Sequence, residues 1–151
     1  MLMPIRTILH PTDFSPSSEA AFAFACSLAG EYFSEILLLN VVEPVFIMTL
    51  EGFAAPYPTI EMEAARKRLD AIVALDSRVK IRREVAYGGS VDEIVRVAVE
   101  SKADMIAMGT HGRSGLSRLI MGSVAEGVLR KVPCPVLFVK EPAKHSPATR
   151  A

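Results

Sequence analysis

Five short apolar runs, at residues 5–10, 36–42, 79–86, 104–108 and 136–139, are separated by four stretches in which apolar residues recur at helical spacing. This alternation narrows the fold more than any other feature of the chain. The run at 36–42 lacks the polar alternation of a strand with one wet face, which implies burial on both faces, as in a parallel sheet. The run at 79–86 carries Arg82, Arg83 and Glu84 and therefore belongs at a sheet edge. A β-α-β-α-β-α-β-α-β order predicts a single-domain α/β fold, a five-stranded parallel sheet with right-handed crossovers and helices on both faces. At 151 residues, half of them hydrophobic, the chain can bury the core of one such domain.

The helical stretches carry their own boundary signals. Ser15 stands where an N-cap belongs, with Pro16 at the first helical position. Ala21, Phe24, Ala25, Leu28, Ala29 and Tyr32 follow at the spacing of one core-facing stripe. Thr59 reads as the next N-cap, ahead of Ala65, Leu69, Ile72 and Val73. Ser90-Val91-Asp92-Glu93 has the capping-box pattern, opening a helix whose core face is Val91, Ile94, Val95, Ala98 and Val99. Val124, Val128, Leu129 and Val132 mark a last helix that ends before Pro133. Residues 43–58 combine Pro44, Pro56 and Pro58 with many apolar side chains and read as a long loop that packs back on the domain, the alternative being a mobile lid or partner surface. The domain is expected to span residues 1–141, and residues 142–151, with nothing to bury, are expected to be a disordered tail.

Charge and cysteine content exclude several classes of function. Seventeen basic and seventeen acidic residues cancel, so nothing global attracts nucleic acid or an anionic membrane. Cys26 and Cys134 fit no metal or redox spacing and read as small buried hydrophobes in a reducing compartment. The chain shows no signal-peptide pattern and no apolar run near the ~18 residues of a membrane span, so a cytoplasmic location is expected.

Sheets of this kind bind ligands beyond the carboxyl ends of their strands. Two segments suit that place: Pro11-Thr12-Asp13 after the first strand and residues 109–123 after the fourth. In the second, Gly109 and Gly112 follow an apolar run, Gly122-Ser123 precedes a helix, Arg113 and Arg118 add positive charge, and no acidic residue occurs between 110 and 125. Glycine admits close backbone approach and a helix start offers unpaired N–H groups, so the stretch reads as an anion cradle. It is neither a Walker A loop nor G-x-G-x-x-G. Its spacing is G-x2-G-x9-G-[ST].

That signature, with Pro11-Thr12-Asp13-Phe14-Ser15, Leu39-Asn40-Val41-Val42-Glu43-Pro44 and Val132-Pro133-Cys134-Pro135-Val136-Leu137-Phe138-Val139, resembles the universal stress protein family along residues 5–140, in particular its ATP-binding subgroup. The resemblance implies a Rossmann-like, adenine nucleotide alpha hydrolase-like sheet of order 3-2-1-4-5. It implies that Gly109, Gly112, Gly122 and Ser123 line phosphates and ribose, that Asp13 and Val41 lie near ribose and adenine, and that Pro11, Thr12, Met108, His111 and Val124 belong to the same nucleotide site. Arg113 is the nearest flexible cation. The ligand is then ATP, or ADP or AMP, with Mg carried in by the phosphates. No recognisable spacing makes His10, His111 and Asp13 a metal site. Family members similarly dimerise through the last strand, which implies a homodimer through Val136, Leu137, Phe138 and Val139.

Two of these residues have competing local roles. Ser123-Val124-Ala125-Glu126 is also a capping box, so Ser123 serves the helix or the phosphate. Asp13 is either a turn residue bonding its own backbone or a ligand contact. The function implied is a nucleotide-dependent stress-response or signalling module. The alternatives are a slow ATP hydrolase with Asp13 as base, and a protein-interaction module with a vestigial pocket.

Overall fold

The computed structural model describes residues 3–54, 58–111 and 121–141; the expectations for Gly112, Arg113, Arg118 and the tail fall outside them. In chain order the elements are β1 (Thr7–Pro11), α1 (Pro16–Tyr32), β2 (Glu35–Val42), β3 (Ile47–Thr49), β4 (Gly52–Ala54), α2 (Thr59–Asp70), β5 (Lys80–Tyr87), α3 (Ser90–Glu100), β6 (Met105–Gly109), α4 (Ser123–Lys131) and β7 (Val136–Val139). Five strands form one parallel sheet in the order β5-β2-β1-β6-β7. Counted along the chain, these are the third, second, first, fourth and fifth sheet strands.

The sheet separates two cores. Leu9, Leu37, Leu39, Ile106 and Met108 face α3 and α4, while Ile8, Ile36, Leu38 and Ala107 face α1 and α2. Burial of Ile36 through Leu39 to 1% exposure or less explains why that run shows no alternation. At the edge strand β5, Arg83 donates from Nε to Leu69 O at 3.0 Å and from Nη2 to Ile72 O at 2.6 Å, so a charge inside a strand-like run closes the C-terminal end of α2. Cys26 and Cys134 are free and only half-buried, at the margins of the two cores. Among the described residues no helix is long and apolar enough to cross a membrane.

α1 begins as its sequence predicts, with Ser15 Oγ accepting the Ser18 N–H at 3.2 Å and Pro16 in the first turn. Its buried face is narrower than expected: Ser17, Ser18, Ala21, Ala25 and Ala29 lie against the sheet, whereas Phe24 and Tyr32 are half exposed. The helix sits so close to the strands that only small side chains fit beneath it. The same tightness recurs at Gly127, where a Cβ would meet Val91 Cγ2 at 2.7 Å and hold α4 away from α3.

Three capping expectations fail for one reason. Thr59, Ser90 and Ser123 are each the first residue inside the helix, the N-caps being Pro58, Gly89 and Gly122 with no side-chain cap bond. A capping hydroxyl must sit on the residue before the first turn, and here that residue is proline or glycine, neither of which has one. Ala125 and Val97 also turn inward where Leu129 and Val99 were expected, the latter two being half exposed. The loop at 43–58 contains the antiparallel hairpin β3–β4, with Thr49 Oγ1 donating to Gly52 O at 2.8 Å. Among its described residues Val45, Phe46, Ile47, Met48 and Leu50 do not pack back, each being more than half exposed. Pro44 and Pro58 flank the hairpin and leave its ladder intact.

His10 is fully buried beneath α1, its ring centroid 5.6 Å from that of Phe22. Its Nδ1–H donates to Ala107 O at 2.7 Å, which leaves Nε2 unprotonated and, among the described residues, unpartnered. Burial holds the imidazole neutral and pushes its pKa down to about 4.

Two predictions follow from this packing. A Cβ at Gly109 would lie 2.9 Å from the backbone carbonyl carbon and oxygen of Ser17, atoms that cannot rotate away, whereas at Gly127 it meets a side chain that can. Urea unfolding should show Gly109→Ala losing about 3 kcal/mol and Gly127→Ala distinctly less, since helix propensity returns up to ~1 kcal/mol there. For His10, the unfolded chain takes up its proton near pH 6.5 and the folded one only near 4, so stability is complete above that window and declines as pH falls through it. Between pH 7.5 and 5, wild type should lose about 2 kcal/mol more than His10→Gln; equal losses would show that His10 titrates alike in both states.

Candidate functional site

The loops after β1, β2 and β6 and the first turns of α3 and α4 enclose a cleft of about 290 Å³ at the carboxyl edge of the sheet. β1 is its floor, because the chain leaves this strand toward β2 on one side and, later, β6 on the other, the arrangement that opens a crevice in such sheets. Pro11, Thr12, Asp13, Val41, Met108, Gly109, His111, Gly122, Ser123 and Val124 all line it, as expected for one site. Gly112 and Arg113 lie outside the described residues. Sequence reasoning did not select Ser18, Leu39, Asn40, Glu43, Ser90, Ile94, Thr110 or Ala125. Glu43 and Ser90 had one available signal: each immediately follows the carboxyl end of a sheet strand or its turn.

The β1 wall is held by a compact set of bonds. Thr12 N–H donates to Leu39 O at 2.8 Å and Asn40 Nδ2 donates to Thr12 O at 2.8 Å, tying the turn to β2. Thr12 Oγ1 accepts from Phe14 N–H at 3.0 Å and from Ser18 Oγ at 2.7 Å, tying it to α1. Asp13 Oδ1 accepts the Ser15 N–H at 3.0 Å, so the turn role is real, and the same residue lines the cleft. These bonds support Phe14 in the left-handed region at φ 62°, with Arg68 stacked over its ring at 3.9 Å.

At the β6 wall the glycines do different work from that expected. Gly109 is the last residue of the strand, paired with Val139, and it is glycine because the Ser17 backbone leaves no room for a Cβ. Gly122 N–H donates to Thr110 O at 2.8 Å, bringing the two ends of the intervening segment together. That bond engages the Gly122 N–H within the protein, while Gly122 itself lines the cleft. The α4 donors with no intrahelical partner are the N–H groups of Ser123, Val124 and Ala125, since Glu126 N–H is the first to reach back, to Gly122 O at 3.0 Å. All three residues line the cleft, and the Ser123 hydroxyl is not used to cap the helix.

The two helix starts in the cleft differ in charge. That of α3 is already met by a carboxylate: Glu43 Oε1 accepts from Ser90 Oγ at 2.7 Å and from Ser90 N–H at 3.3 Å. That of α4 meets no acidic side chain from another element among the described residues. Acceptors therefore gather at the β2 end and N–H donors at the β6 end. His111 lines the donor side, hydrogen-bonded to Thr110 Oγ1 at 2.9 Å, while His10 lies on the other face of the sheet beneath α1, so the two histidines do not meet. Among the described residues no group of three His, Cys, Asp or Glu side chains is placed to hold a metal ion.

Comparison with known proteins agrees with this geometry. The chain is 37% identical to a universal stress protein of Methanocaldococcus jannaschii, over 93% of its own length and 85% of the relative's. Its fold superposes on universal stress protein UspA from Lactobacillus plantarum with a TM-score of 0.74, at 23% identity, covering 91% of this chain and 99% of that one. A universal stress protein solved in complex with cAMP matches with a TM-score of 0.63 and 26% identity, over 93% of this chain and all of the other. The sequence profile of the Universal stress protein family matches residues 4–140, and the chain belongs to that family.

Proposed function

We propose that the cleft holds an adenine nucleotide, ATP or its relatives ADP and AMP, and that the protein acts in the cytoplasm as a nucleotide-dependent stress-response or signalling module, with residues 1–141 as the functional unit. The observation that carries this reading is the open start of α4: Ser123, Val124 and Ala125, whose N–H groups have no partner among the described residues, line the same cleft as Asp13 and Val41. A phosphate suits those donors and the positive end of the helix. Gly109 and Met108 then flank the ribose, and Pro11, Thr12, Asp13 and Val41 form the wall toward the base, with His111, Gly112, Arg113, Gly122 and Val124 around the phosphates. Mg²⁺ accompanies a triphosphate, held by its oxygens and water. The cAMP complex of a relative supports the nucleotide class. Asp13, the residue considered as a hydrolytic base, has one oxygen committed to the Ser15 N–H, which favours holding the nucleotide over turning it over.

The module pairs with a second copy through β7. This strand is the edge of the sheet, and Val136, Leu137, Phe138 and Val139 are only half-buried on it. An apolar edge with open backbone groups is completed by the same strand of another copy, antiparallel across a two-fold axis.

Ser123→Pro separates the ligand role from the structural one. Proline is favoured at a first helical position, and Gly122, at φ −61° and ψ 154°, already has the extended backbone that a residue before proline requires. The variant should keep its melting temperature and lose at least about tenfold in ATP, ADP or AMP affinity by calorimetric titration, through loss of two donors to a charged acceptor. Equal affinity in both proteins would remove the phosphate from α4. Sedimentation at micromolar concentration should give a dimer that Leu137→Lys converts to monomer; a monomeric wild type would rule out the β7 pairing.

A further inference from the structure

The hairpin β3–β4 stands apart from both cores. Its two strands contact each other and, among the described residues, pack closely on no other element. Val45, Phe46, Ile47, Met48 and Leu50, consecutive but for Thr49, are each more than half exposed. A two-stranded hairpin alone in water is marginally stable and gains from a further strand or an apolar cover. The composition of the segment narrows what that cover can be. Residues 43–58 hold Glu43 and Glu51 and no lysine or arginine, so no positive charge draws the hairpin to an anionic membrane or an acidic partner. Glu43 is bonded to Ser90, which leaves a basic partner the single carboxylate of Glu51. A nearly uncharged apolar surface is matched by another of its kind, and a second copy of the chain supplies one. The exposed area sets the strength of such pairing. At about 100 Å² for each of the five side chains, one hairpin presents on the order of 500 Å², and two copies remove about 1,000 Å² in all, the lower bound of a specific interface.

We propose that the hairpin β3–β4 is a second self-association surface, weaker than β7, in which the hairpins of two copies cover each other's apolar side chains across a two-fold axis. The two surfaces do not compete. The hairpin leaves the sheet at the end of β2, three interstrand spacings, about 15 Å, from β7, so one copy engages a neighbour through each. Pairing through both joins dimers into tetramers where the axes close and into longer chains where they do not. Neither step involves the cleft, and the nucleotide reading stands or falls separately.

Sedimentation of the full chain from about 1 μM to about 1 mM, the span in which an interface of this size associates, tests this. Wild type should at least double in mass across that range, and Leu137→Lys, which lacks the β7 pair, should pass from monomer to dimer. Met48→Glu, at a position 77% exposed, should keep the wild-type melting temperature and the β7 dimer and lose the increase, because it sets like charges across the axis. Val73→Glu, at an apolar position 69% exposed outside the hairpin, should leave the increase unchanged. With Leu137→Lys present in both, an equimolar mixture of Met48→Glu and Met48→Lys copies should associate at least about tenfold more tightly than either alone. A wild-type mass that stays constant over the range, an increase that Met48→Glu retains, an increase that Val73→Glu abolishes, or a mixture no tighter than its components would each overturn the inference. So would a constant mass together with binding to neutral phosphatidylcholine vesicles that Met48→Glu abolishes, which would give the hairpin to a membrane.

Discussion

The backbone of α1 rests against the end of β6, and the contact of Ser17 with Gly109 leaves no room for even one carbon. Both walls of the cleft depend on that contact. From the same first turn of α1, Ser18 reaches Thr12 and holds the β1 turn, while on the other side Gly109 ends the strand that delivers Thr110 to the carbonyl bond with Gly122. A seam of Ser17, Ser18, Ala21, Ala25 and Ala29 carries the approach along the helix. Close packing makes the distance between β1 and β6 a property of backbone atoms, which do not adjust as side chains do.

The polarity of the cleft has a separate origin. Helices α3 and α4 run the same way on one face of the sheet, so their positive ends arrive together at the carboxyl edge. Glu43 satisfies one and leaves the other to a ligand. The result is a crevice with donors at the β6 side and acceptors at the β2 side, oriented before anything binds. In the hairpin β3–β4, which begins a few residues after Glu43, Ile47, Met48 and Leu50 are exposed, and none of the three lines the cleft.

Much of this was legible from residue order. Unalternating runs such as 36–42 implied two covered faces, Arg82 and Arg83 marked the edge strand, and Ser15-Pro16 opened α1. The rule that ligands sit beyond strand ends singled out Pro11-Thr12-Asp13 and the segment from Gly109 to Ser123, whose described ends line one cleft. What misled was local pattern taken as local structure. Ser90 and Ser123 sit in capping-box sequences, yet the preceding glycine takes the non-helical position and moves each serine into the helix, freeing one hydroxyl for Glu43 and leaving the other facing the cleft. Phe24 and Tyr32 share a helical stripe with Ala21 and Ala25, yet both stay half exposed, because the buried positions of α1 are held by small residues.

The sequence by itself determined the five strands of the parallel sheet, its four helices and the family, but not the hairpin β3–β4, because hydrophobic period and glycine spacing are properties of neighbours along the chain. Only the tertiary structure decided what each site residue does. Gly109 is glycine for the sake of a helix over ninety positions away in the chain, Gly122 has its N–H taken by Thr110, and Glu43 meets a serine 47 residues distant. Such contacts depend on how closely packed layers approach, a distance set by the whole core and carried by no local stretch of residues.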